Sequence, residues 1–75
     1  MAYVLLYQNL TTHAMHVVEI TKDEETARER MNAEIQNFYC AAPWSFLVAK
    51  RTALILCKDS EGREYRHGVY RIVKH

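Results

Sequence analysis

Apolar residues occupy both phases of the first run of the chain. Read as a strand, "YVLLYQN" (3–9) places Tyr3, Leu5 and Tyr7 on one face and Val4, Leu6 and Gln8 on the other, with almost no polar side. "NLTTH" interrupts the pattern and "AMHVVEI" (14–20) resumes it with β-branched residues, which predicts an antiparallel hairpin with a loop of about five residues. From Thr21 the period changes. Ala27, Met31, Ile35, Phe38 and Ala42 recur at helical spacing, while Arg28, Glu29, Asn32 and Gln36 lie off that stripe. Thr21 with Glu24 matches a capping box, Asp23, Glu24 and Glu25 suit the positive end of the helix dipole, and Pro43 stops the helix at or before Ala42.

"WSFLVAK" reads as a short extended segment and "TALILCK" (52–58) as a strand. "DSEG" is a turn with Gly62 placed for a positive φ, and "REYRHGVYRIVKH" is a last strand, bulged or bent near Gly68. The order is β-β-α-(β)-β-β. It predicts one compact α+β domain over residues 1–75: a single antiparallel four-stranded sheet, with a short extra strand in "WSFLVAK", and one helix on one face.

One helix covers one face of such a sheet. Ile20 stands just before the helix, so its face is taken to point inward, with Val18 and His16 beside it and Val4, Leu6, Ala53, Ile55, Cys57, Tyr70 and Ile72 completing the core. The opposite face then collects Tyr3, Leu5, Tyr7, Met15, Val17, Leu54, Leu56, Val69 and Val73, with Arg71 as the main charged intruder. A half-solvated sheet alternates apolar with polar; this one barely does, and its patch exceeds what monomers usually leave exposed. Three covers are open: "AAPWSFLVAKR" folded across it with Trp44, Phe46 and Val48 inward, a second copy of the chain, or a different protein. A register slip of one residue would exchange the faces.

Bulk composition narrows the function classes. A hydrophobic share of 49% with 25% charged residues is that of a globular chain, and 75 residues bury a small core. The longest apolar runs fall far short of the ~20 residues of a membrane span, and no basic segment precedes the first, so neither a membrane segment nor a signal peptide is expected. Two cysteines are too few for a disulfide scaffold, which leaves a cytoplasmic setting as the default. The net charge of +1 divides unevenly: residues 1–47 carry three basic and six acidic side chains (−3), residues 48–75 seven basic and three acidic (+4).

The chemistry of catalysis is missing its usual surroundings. His13 and His16 are three apart, so on a strand they diverge, and no CxxC accompanies them; no metal site or cofactor is expected. Cys40 near a helix C-terminus and Cys57 in "LILCK" read as buried apolar cysteines, and Ser45 and Ser60 lack nucleophile-elbow glycines. The helix carboxylates form a solvated face, Glu24 pairing with Arg28 at i,i+4. The expectation is a non-enzymatic protein-interaction module that self-associates as a homodimer, or binds a protein target, through Tyr3, Leu5, Tyr7, Leu54, Leu56 and Val69. The alternative is a nucleic-acid-binding module using Arg63, Tyr65, Arg66, His67 and Arg71 of the basic C-terminal hairpin, since aromatics with arginine on an open sheet can stack bases. In size and element order the chain is similar to small phage-encoded inhibitors, anti-CRISPR proteins among them. That resemblance implies an inhibitor or accessory protein that occupies a surface on its target.

Overall fold

The computed structural model describes residues 2–38 and 44–75, Trp44 by its backbone alone. Five strands and one helix follow one another as β1 (Tyr3–Asn9), β2 (Met15–Thr21), α1 (Glu24–Gln36), β3 (Trp44–Val48), β4 (Thr52–Lys58) and β5 (Glu64–Lys74). The strands form one sheet in the order β2-β1-β5-β4-β3, every neighbour antiparallel. The fold is the expected α+β arrangement. "WSFLV" is a true fifth strand on the β4 edge, so it extends the sheet rather than crossing its open face.

Two polar side chains shape the hairpin turns. Asn9 Oδ1 accepts from the backbone N–H of Thr11 and Thr12, and His13 closes the loop at φ 65°. Asp59 Oδ1 does the same for Glu61 and Arg63, with Gly62 at φ 81° as its sequence position predicts. Short polar side chains that bond their own downstream backbone make such turns independent of packing.

The helix starts two residues later than a Thr21 cap would require. Asp23 is the N-cap, its carboxylate accepting from Thr26 N at 2.7 Å, and the buried Thr21 instead donates its hydroxyl to Asp23 O. The helix also ends earlier than Pro43 demands. Its last residue is Gln36, and the Asn37 N–H bonds back to Ala33 O. Ala42 and Cys40 lie outside the described residues. Ala27 and Met31 are fully buried, and Ile35 and Phe38 pack beside them, so the apolar stripe is as read.

The core lies between α1 and the middle of the sheet: Leu5, Ala27, Met31, Ala53, Ile55, Tyr70 and Ile72, with Tyr3, Tyr7, Val18, Phe38 and Phe46 against it. This corrects the face assigned to β1. Tyr3, Leu5 and Tyr7 belong to the covered side, whereas Val4 and Leu6 face away. The cause is a bulge in β2. Leu5 pairs with Glu19 and Leu6 with Val17, leaving Val18 as an extra residue. His16 and Val18 therefore point inward as expected, but past the bulge the parity inverts. Thr21, opposite Tyr3, points inward, and Ile20, opposite Val4, is 65% exposed.

Candidate interaction surface

Directly paired residues share a face, so the registers give the open side row by row. Ile20, Val4 and Val73 form one row; Val17, Leu6, Arg71 and Thr52 the next; then Met15, Gln8, Val69, Leu54 and Leu47. Beyond a bulge at His67 come Arg66, Leu56 and Ser45, and finally Glu64 with Lys58. Apolar side chains thus stand on β2, β1, β5 and β4 of this face, with Gln8 and Arg71 set among them. Met15, Val17, Ile20, Leu47 and Val73 are each exposed by more than two-fifths. The helix packs on β2, β1 and β5 from the other side, and among the described residues no element lies over these rows.

Leu54, Leu56 and Val69 stand on this face as expected. Val69 is only 8% exposed, because a residue on the central strand is shielded by the side chains around it. Leu5, at 0%, is core and cannot make a contact without unfolding; Tyr3 and Tyr7 lie on the same covered side. The residues that take their place are Val4, Leu6 and Ile20. No residue type in "HVVEI" marks the extra residue, since it holds no glycine of the kind that signals a bulge.

The five residues considered for nucleic acid are divided between regions. Arg66 and Arg71 point to the open face, whereas Tyr65, opposite Cys57, points to the helix side. His67 is the bulge residue, its ring 5.7 Å from Phe38 and 6.4 Å from Tyr65. Arg63 sits in the β4–β5 turn, paired with Glu61 at 2.6 Å and Asp59 at 3.5 Å. Tyr65 and His67 lie on the helix side, as do Tyr3 and Tyr7, and Arg71 does not join them, because the bulge inverts the parity of β5 between Tyr65 and Arg71. The bend itself falls where Gly68 suggested.

The covered side carries its polar groups differently. The Tyr7 ring lies across Gly68, so that a Cβ there would stand 2.2 Å from the phenol oxygen. Tyr7 also meets Tyr70 at 4.8 Å and His16 at 5.6 Å between ring centroids. Burial pushes the Tyr7 phenol above its ordinary value. It lifts Tyr70 to about 12, helped by the negative charges of Glu34 and an ionised Tyr7 and opposed by Arg30. At the helix start, a hydrogen bond from Arg51, with Arg28 and Lys50 adding positive charge nearby, holds Glu24 below the usual carboxylate range. Arg28 Nε also donates to Lys50 O at 3.2 Å, fastening the β3–β4 turn to the helix.

Among the described residues, no three or more His, Cys, Asp and Glu side chains are grouped to hold a metal ion, and no helix is long and apolar enough to cross a membrane. No protein-family model, curated protein or solved structure matches the chain.

Proposed function

We propose that the protein is a non-enzymatic, cytoplasmic interaction module that self-associates through its open sheet face. The observation that carries this is the set of apolar rows from Ile20 to Leu47 with nothing above them among the described residues. A second copy is the occupant that suits the dimensions. Five strands about 4.8 Å apart, with about six residues per strand at about 3.3 Å, present roughly 500 Å². Two such faces bury on the order of 1,000 Å² in total, the lower bound for a specific interface. Sheets stack about 10 Å apart with strands near-aligned, which suits an antiparallel sheet of this size. Arg71 can lay its stem along the contact and send its guanidinium to the rim. An inhibitor or accessory role would then use what the pairing leaves outside: the helix and the β4–β5 turn.

The test is solution mass by light scattering at low micromolar concentration, in low and high salt. The expected result is a salt-resistant oligomer whose mass halves in Val17→Lys while the circular dichroism stays native. A wild type that is monomeric throughout, or a mass unchanged by Val17→Lys, overturns the reading. The nucleic-acid alternative predicts instead a mobility shift at low salt that fades steeply as salt rises, and that Arg71→Ala weakens.

A further inference from the structure

The two edges of the sheet are built differently. β2 carries the bulge at Val18 and the charged Glu19, two features that discourage strand addition. β3 carries neither. Its five residues, "WSFLV", hold no charge and pair with β4 in unbroken register from Trp44↔Cys57 to Val48↔Ala53. The helix packs on β2, β1 and β5, and among the described residues the Phe38 ring, 6.5 Å from Phe46, is what meets the helix side of β3.

The hydrogen-bond phase of β3 follows from its turn. Ala49 N–H donates to Thr52 O at 2.8 Å, and on the far side of β4 the Ile72 N–H donates to Arg51 O at 2.7 Å. Bonding alternates along an antiparallel ladder, so Leu47 and Ser45 direct their backbone groups toward β4. Trp44, Phe46 and Val48 direct theirs outward, where the sheet ends. That outward set is symmetric about Phe46.

We infer that β3 pairs antiparallel with β3 of a second copy, about a two-fold axis through Phe46. In this register Phe46 faces its own counterpart and Trp44 faces Val48. All three outward positions become hydrogen-bonded pairs, about six backbone bonds in all. No other register satisfies every outward group of both strands. The exposed Leu47 and Val48 gain cross-strand neighbours at the same time. Because the axis runs perpendicular to the sheet, both helices lie on one side and both open faces on the other. The edge contact is therefore distinct from the face contact proposed above and compatible with it.

Amide hydrogen exchange by NMR reads this directly, because the N–H groups of Phe46 and Val48 have no acceptor within their own sheet. The expected result is slow exchange at both at high protein concentration, lost on dilution, while Leu47 stays protected throughout. Val48→Pro removes one outward N–H without touching the β4 ladder. It should keep a native circular dichroism spectrum, halve the oligomer mass and abolish the protection at Phe46. Fast exchange at Phe46 and Val48 at every concentration overturns the edge pairing, as does a Val48→Pro protein that folds with its mass unchanged. Val17→Lys, on the opposite edge strand, separates the two contacts: it leaves the Phe46 protection intact even where it halves the mass.

Discussion

Leu5 and Leu6 are neighbours of the same type in the same strand, and they meet opposite fates. Leu5 is sealed in the core with Met31 and Ile72; Leu6 stands on the bare side in a row with Val17 and Arg71. The two faces of this sheet differ little in apolar content, so hydrophobicity alone does not decide which is the core. The single helix decides it, by lying on one side. A sheet that is apolar on both sides with one helix to cover it carries a surplus, and surplus apolar surface is what an interface is made from.

The sharpest way to test that asymmetry is to truncate both leucines. Leu5→Ala removes a fully buried side chain from a packed cluster and should lower the unfolding free energy by about 2–5 kcal/mol. Leu6→Ala should lower it by far less when both are measured as dilute monomers in urea, its main effect appearing as weaker self-association. Equal losses of monomer stability would mean that both faces are already covered, and the comparison would collapse.

Gly68→Ala probes the covered side from the strand that bends. The new methyl group would lie 2.2 Å from the Tyr7 phenol oxygen and 2.7 Å from two ring carbons, so the ring must leave its place over the backbone. Overpacking of this kind costs about 1–3 kcal/mol. Combined with Tyr7→Leu, the substitution should be nearly neutral relative to Tyr7→Leu alone, a non-additivity that thermal unfolding of the four proteins can measure. Simple additivity would show that the ring and the glycine do not share the space.

Most of the architecture was legible in the sequence because its signals are local. The helical stripe of Ala27, Met31 and Ile35, the turn at Asp59–Gly62 and the bend at Gly68 all appear where the residue pattern sets them. The existence of an over-apolar second face was legible too, from the double phase of "YVLLYQN". Its membership on β1 was not. An extra residue at Val18 inverts the parity between His16 and Ile20, and strand alternation read from Ile20 backward has no means of seeing it. The nucleic-acid grouping failed through the same kind of event, at His67. Period two is reliable only within an uninterrupted ladder.

Alkaline titration should separate the faces by charge. The Tyr70 phenol is raised to about 12, so the folded state holds its proton while the unfolded chain, ordinary near 10, releases it. That contribution to stability is complete below pH 10 and is lost as the pH rises from there toward 12. Tyr70→Phe should flatten this decline in a series of unfolding curves between pH 9 and about 11.5. An unchanged alkaline slope would place the loss elsewhere.

The smallest effect is expected at the start of the helix, whose position decides which face is covered. The Asp23 carboxylate is held below its ordinary value of 3.8 by the backbone N–H of Thr26. A lowered folded value means stability that is present above the unfolded value and lost as pH falls through the folded one. Asp23→Ala should therefore reduce the thermal midpoint modestly near neutral pH, less than either core substitution, because the cap is solvent-exposed and fixes only the first turn. The same variant should converge on the wild type below pH 3.8 as the wild-type carboxylate protonates. Asp23→Asn keeps an oxygen acceptor but no charge, and should retain most of the midpoint at neutral pH while losing the acid dependence. If Asp23→Asn behaves like Asp23→Ala instead, the charge at the helix start, rather than the hydrogen bond to Thr26, is what holds the cover in place.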